Sequence, residues 1–254
     1  MTTENSAGAR AGWRSLMWPG LMTLVALAIL IGLGVWQMER LAWKEGLIAS
    51  ITEELGKAPA PLEQPADAWK ALATEEYRPV SVKGRFRHGD ERHLFASTDG
   101  ATGWHVYTPL ETEGGHVLFV NRGFVPDTMK DPATRAEGQV NGVVEVRGLL
   151  RKPGVHGSFE PDADRARNVW YWRDLAGLTA SLGTGVDPGS ILPFFVDAAA
   201  EPANPGGWPK GGVTRLDIPN RHLEYALTWF GLAVTLVAIF AAFAWPRLRR
   251  GSAA

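Results

Sequence analysis

The 254-residue sequence contains no cysteine. Disulfide staples, thiolate nucleophiles and cysteine-based metal sites are therefore excluded. Methionine is scarce as well. Its five residues are scattered, which argues against the thioether clusters that soft copper ions favour. An excess of one charge is missing too. The 26 Lys and Arg stand against 27 Asp and Glu, a formal net charge of −1. That balance gives no argument for nucleic acid as a partner, because phosphate binding needs concentrated cations. The chain has no G-x-S-x-G elbow, P-loop or H-E-x-x-H run. Gly84-Arg85-Phe86 and Asn121-Arg122-Gly123 lack the glycine spacing and following helix of a phosphate loop. His88, His93, His105, His116 and His156 match no standard zinc spacing; the nearest pair is His105 with His116 across a hairpin. Without a nucleophile–base signature, the chain reads as something other than an enzyme.

Tryptophan and long apolar runs are what the sequence does have. A mean hydropathy of −0.09 is too polar for a mostly embedded protein, so a polar domain with a few anchors is expected. Leu16 to Met38 carries no charge, and it is long enough to cross a hydrocarbon core of about 30 Å. The bulky Val35-Trp36-Gln37-Met38 that ends it does not resemble a signal-peptide cleavage site. Tyr225 to Trp245 is a second run of spanning length, and Pro246 is expected to end it. Trp13, Trp18 and Trp36, among 11 tryptophans, suit interfacial belts. Two spans put both tails on one side of a bilayer. Arg10, Arg14, Arg247, Arg249 and Arg250 lie in those tails, which argues that this side is cytoplasmic. The expected layout is a cytoplasmic tail (1–15), a transmembrane helix (16–38), an extracytoplasmic domain (39–220), a second transmembrane helix (221–245) and a second cytoplasmic tail (246–254). A bacterial inner (plasma) membrane with a periplasmic central domain is the simplest placement.

Within the central segment, Leu41, Leu47, Ile48, Ile51 and Leu55 recur on one helical stripe, so the first helix should extend through 39–56 until Gly56, Pro59 and Pro61 stop it. Ala58–Ala68 reads as linker. Short strands follow at Tyr77–Phe86, Arg92–Ser97, Trp104–Leu110, His116–Asn121, Val143–Leu150, Val169–Trp172 and Ile191–Asp197. Asp127–Gly138 reads as polar loop and Asp174–Gly183 as a short helix. The fold class is therefore a membrane protein: two transmembrane helices flank a β-rich α+β domain with a partly closed sheet or barrel.

Two places carry chemistry. Arg122 follows an apolar run and precedes Gly-Phe-Val-Pro. It suits either a strand-end ion pair or a clamp for carboxylates such as haem propionates. The second place is Asn220–Gly231, which opens the second anchor. Asn220 is suited to cap the helix. His222, Tyr225, Trp229 and Ala233 recur at spacings of three and four and share a face. That face admits two readings. It could pack on the first anchor, whose Gly32 and Gly34 invite close approach. It could instead receive a planar macrocycle, with imidazole as an axial ligand to haem iron.

Four stretches then form a recognisable set. They are Leu33–Arg40 with Trp43-Lys44; Tyr77-Arg78-Pro79-Val80 with Gly84 and Phe86; Gly103–Leu110 with Val120–Pro126; and Asn220–Gly231. In that order, with both anchors in place, the chain resembles the Surf1/Shy1 family of cytochrome c oxidase assembly factors, as a bacterial member. The resemblance implies a role in maturing haem-copper oxidases by assisting haem a insertion into the catalytic subunit. It also implies haem a ligation through the second anchor's histidine, here His222, with Tyr225 and Trp229 lining the ring. Arg221 stands where many relatives have a second Asn. The partners implied are the oxidase catalytic subunit, a haem a synthase and the bilayer. A cofactor-free membrane scaffold that stabilises an oxidase assembly intermediate is the competing expectation.

Overall fold

The structure is a computed structural model that describes residues 5–62, 73, 76–98, 100–182, 185–216 and 219–252, with side chains at the two ends described from Ser15 to Arg249. Most of the expected Ala58–Ala68 linker, the ends of both tails and the end of the expected 174–183 helix lie outside the described residues. The chain divides into a helical unit (1–49 with 217–254) and a β unit, Ser50–Leu216.

Helix α1 runs from Asn5 to Leu55. At 1.5 Å per residue its 51 residues make about 76 Å. Pro19 lies inside it, and Thr23 Oγ1 donates to the Pro19 carbonyl at 2.8 Å. The helix stops where a Gly stop was expected, with Gly56 N–H donating to Thr52 and Glu53 carbonyls at 3.1 and 3.2 Å. Ile51 is buried as expected, whereas Leu47 is not.

The last helix, α3, spans His222–Ser252. The expected stop at Pro246 is overturned, because Pro246 lies inside the helix. A proline removes one main-chain donor without forbidding the next turn. Arg247 Nη1 donates to the Phe243 carbonyl at 2.7 Å in that turn. Stretches of α1 and α3 (Ser15–Leu55 and His222–Arg249) are long and apolar enough to cross a membrane.

Covered positions on α1 recur as Leu16, Gly20, Thr23, Leu27, Leu30, Gly34 and Gln37. On α3 they recur as His222, Ala226, Trp229 with Phe230, Ala233, Leu236 and Phe240. Steps of three and four in both helices make a 3.5-residue repeat, the seam of a left-handed pair. Small residues let the backbones approach. A Cβ on Gly34 would lie 2.5 Å from the Phe230 ring, while one on Gly32 would meet nothing within 4 Å. Of the two glycines expected at the contact, only Gly34 is used.

The β unit is built on a closed barrel. Its strands are β1 (Ala60–Pro61), β2 (Pro79–Phe86), β3 (Arg92–Thr98), β4 (Ala101–Thr112), β5 (Val117–Pro126), β6 (Val144–Arg151), β7 (Val169–Trp170) and β8 (Ile191–Ala198). The order is β1-β2-β6-β8-β5-β4-β3-β7, and an added β2–β4 pairing closes β2, β6, β8, β5 and β4 into a ring. Closure removes the ring's open edges. Strand β4 makes it work by length. Its start pairs with β3 while its end, Leu110–Thr112, pairs with β2.

Alternation places Val80 and Val82, Leu118 and Val120, Val146 and Leu150, and Leu192, Phe194 and Val196 in one interior cluster with Leu110. Gly84 continues the β2 parity at the closure. A Cβ there would lie 2.4 Å from the Glu111 carbonyl oxygen and 2.9 Å from Leu110 Cγ, so the crossing of β2 over β4 requires glycine. The opposite parity of β5 and β8 puts Phe119 and Phe195 with Tyr107, Trp170 and Leu178 in a second cluster. Leu178 belongs to α2 (Leu175–Ala180), which Asp174 caps by accepting from Gly177 N–H at 2.9 Å. Strand β5 is thus buried on both faces, which explains its continuous apolar run. Full burial of each such side chain stabilises the fold by roughly 1.5–3 kcal/mol.

The expected polar loop 127–138 differs from its reading. It contains 3₁₀ turns at Asp127–Met129 and Pro132–Gly138, and Arg135 in the second is buried. A charged residue can be buried there because Glu91 receives it.

Candidate functional site

In the helical unit, α3 begins at His222. Tyr225 N–H donates to the Arg221 carbonyl at 3.3 Å, so the first turn opens one residue beyond Asn220. The cap expected from Asn220 is not made. Its Oδ1 is buried and has no hydrogen-bond partner among the described residues. Lys44 Nζ donates to the carbonyl of Pro219. Glu224 sits in the first turn, where a carboxylate favours the helix dipole.

His222 Nδ1 donates to Gln37 Oε1 at 2.7 Å. Gln37 is only 8% exposed. With the proton on Nδ1, the lone pair of the neutral ring is on Nε2. Metal-bound histidines are typically held in this way through their other nitrogen.

The expected aromatic face is divided. Trp229 is half-buried on the seam with His222, whereas Tyr225 is 54% exposed and Ala226 takes the seam position. The packing and macrocycle readings therefore fall on different residues. Ala226 and Ala233 pack, and Tyr225 is left open.

Among the described residues no group of three or more His, Asp or Glu could hold a bare metal ion. One imidazole can hold a metal durably only when the metal brings its remaining ligands, as haem iron does. The residues around His222 fit such a group. They offer an open ring nitrogen, an orphaned buried acceptor on Asn220 and the Lys44 ammonium on Pro219.

Arg122 lies in the β unit, on β5, and is 1% exposed. Its Nη2 donates to the Gly138 carbonyl and, at 3.0 Å, to Asn204 Oδ1. The guanidinium carbon lies 4.8 Å from the Phe86 ring centroid, and Nε is buried without a partner. Of the two readings of Arg122, the strand-end ion pair is not made among the described residues, where no carboxylate contacts the guanidinium. Burial lowers the Arg122 pKa to about 10, against the raising effect of more distant Glu91. The side chain borders a cavity of about 300 Å³ with Phe86, Val144 and Asn204.

Elsewhere in the β unit, buried charge is matched. Glu91 accepts from Arg135 Nη1 at 3.1 Å and from His93 Nε2 at 2.9 Å. Burial pushes its pKa up, but the His93 and Arg135 hydrogen bonds outweigh that and leave it lowered. Burial lowers both His88 and His105 and raises Tyr107. His105 and His116, the nearest candidate pair in the sequence, are not cross-strand neighbours. His105 lies opposite Phe124, and His116 precedes β5 in the hairpin turn.

Sequence reading missed Gln37, Lys44 and the orphaned Asn220. A lone amide at the end of an uncharged apolar helix was the available signal, since such groups usually have partners.

Two apolar helices of membrane-crossing length joined by a small closed barrel, with a histidine held by a buried amide, define a class of barrel-bearing helix-pair proteins. Within that class the chain belongs to the SURF1 family, whose profile matches residues 24–234, a range that includes both Gln37 and His222. It is similar to a SURF1-like protein of Monosiga brevicollis, 36% identical over 98% of this chain and 93% of that protein. It is also similar to Surfeit locus protein 1 of Mus musculus, 37% identical over 91% of this chain and 76% of that protein. Surfeit locus protein 1 of Homo sapiens is 37% identical over 80% of this chain and 69% of that protein.

Proposed function

We propose that this chain is a non-catalytic assembly factor for a haem-copper (cytochrome c) oxidase. It binds haem a as cargo and assists its insertion into the catalytic subunit. The observation that carries the proposal is the Gln37–His222 hydrogen bond, which presents Nε2 as a ligand on a helix pair with no other buried polar residue among those described. Tyr225, exposed beside it, and half-buried Trp229 supply flat apolar surface for the ring. One protein ligand suits a carrier that must let its cargo go. Haem a is the redox centre of the recipient enzyme and only a passenger here. The partners are the oxidase catalytic subunit and a haem a synthase. The placement is a bacterial inner membrane, with the barrel periplasmic and both termini cytoplasmic. The test is the visible spectrum of full-length protein purified from cells making haem a. Wild type should carry haem a and His222→Ala should not; equal haem in both sinks the ligand assignment. Co-purification of the oxidase subunit without haem absorbance selects the cofactor-free scaffold instead.

We propose separately that Arg122, within the β unit, is a clamp for a carboxylate such as a haem propionate. Its support is a buried guanidinium with only neutral contacts at the edge of a cavity. A cation so placed is stabilised by an incoming anion. Arg122→Gln should speed haem loss while the protein stays folded. An unchanged loss rate removes the Arg122 assignment.

A further inference from the structure

The Gln37–His222 contact has a chemical direction. An imidazole that donates from Nδ1 to a carboxylate gains imidazolate character and becomes a stronger metal donor. One that donates to a neutral amide oxygen is oriented but not strengthened in that way. A buried carboxylate at this position would also be costly in an apolar helix. Gln37 therefore supplies orientation without charge.

We infer that Gln37 is the positioning residue of the haem site. It fixes His222 as the Nδ1–H tautomer and keeps Nε2 a ligand of intermediate strength, able to hold and to release. The inference rests on the carrier reading above. Its structural basis is independent of it: a 2.7 Å hydrogen bond, an amide 8% exposed, and Gly34 one turn before Gln37, against which Phe230 packs. That packing places the two helices close enough for an amide to reach an imidazole. Neither group has another hydrogen-bond partner among the described residues. Losing Gln37 therefore frees the ring to turn and to move its proton to Nε2, where the lone pair is needed.

The experiment uses full-length protein in detergent, as wild type, Gln37→Met, Gln37→Glu and His222→Ala. Imidazole nitrogen NMR on the haem-free proteins reads the tautomer, with the His222 signals assigned by their loss in His222→Ala. Transfer to apomyoglobin reads haem dissociation, and resonance Raman reads the iron–imidazole stretch. Wild type should show the Nδ1–H tautomer. Gln37→Met should lose that bias and release haem about 10- to 100-fold faster. Gln37→Glu should raise the iron–imidazole frequency and slow release. A folded Gln37→Met with the wild-type tautomer and release rate overturns the inference. If His222→Ala loses haem while both Gln37 variants match wild type, the carrier reading stands and this inference falls. If wild type holds no haem a, the carrier reading fails, and the NMR still decides whether Gln37 holds the ring.

Discussion

In the barrel, Asp197 accepts from Arg151 Nη1 at 2.8 Å, Asn121 Nδ2 at 3.0 Å and Thr214 Oγ1 at 2.7 Å, and Glu91 accepts from Arg135 and His93. In the helix pair, the one buried polar side chain among the described residues, Gln37, has a single partner, His222. The second nitrogen of His222 makes no hydrogen bond among the described residues. Buried charges on Glu91 and Asp197 are therefore closed on themselves. Arg122 is the exception in the barrel, and it stands next to a cavity. Polar groups that are fully satisfied hold a fold together, whereas a donor atom held in place and left open is available to a ligand. The matched charges stabilise the barrel, and the proposed ligand atoms, His222 Nε2 and the Arg122 guanidinium, lie outside those matched sets.

The largest effect expected from breaking the comparison is on the barrel side. Glu91→Leu would leave Arg135 buried without its counter-charge and should cost about 3–5 kcal/mol in a denaturant titration. Gly84→Ala should cost about 1–3 kcal/mol, because the added methyl meets the Glu111 carbonyl where the ring closes. Neither should alter the haem spectrum of the protein that remains folded. Either result reversed, with stability intact and haem lost, breaks the division.

The pH response is smaller and tests two half-buried histidines together with Glu91. His88 and His105 have pKa values below the ordinary 6.5 in the fold, so the unfolded chain binds protons first as pH drops. Stability should therefore be full well above pH 6.5 and should decline as pH falls through it. Glu91 is also lowered, from an ordinary 4.5. Its contribution is present above that value and is lost as pH falls further through the folded pKa. Unfolding midpoints measured across this range should fall in two stages. A midpoint that rises on acidification contradicts the desolvation of these histidines and the pairing of Glu91.

Much of the barrel was legible because one face of each strand is interior. Val80 with Val82 and Val146 with Leu150 announce strands by parity alone. The closure was not legible. It depends on β4 being long enough to leave β3 and join β2, a pairing between residues far apart in sequence. Nor was the parallel β5–β8 pairing, since a strand buried on both faces shows no alternation. Arg135 was hidden because its partner Glu91 lies 44 residues away. At the candidate site, His222 and Trp229 could be named from helical spacing, while Tyr225 and Ala226 fit that spacing equally well, and only the packing of the two helices puts Ala226 on the seam. Gln37 could not be paired from one helix alone, since its partner is supplied by the other.

The central claim is that the open nitrogen of His222 holds haem a. The most direct measurement is the haem a to protein ratio of full-length wild type and His222→Ala, purified side by side from cells making haem a, with unfolding midpoints measured on the same samples. The account predicts bound haem a in wild type, its loss in His222→Ala, and a His222→Ala protein that still unfolds cooperatively, at a midpoint somewhat lowered by the unpartnered Gln37 amide. Equal haem content in the two proteins would contradict it.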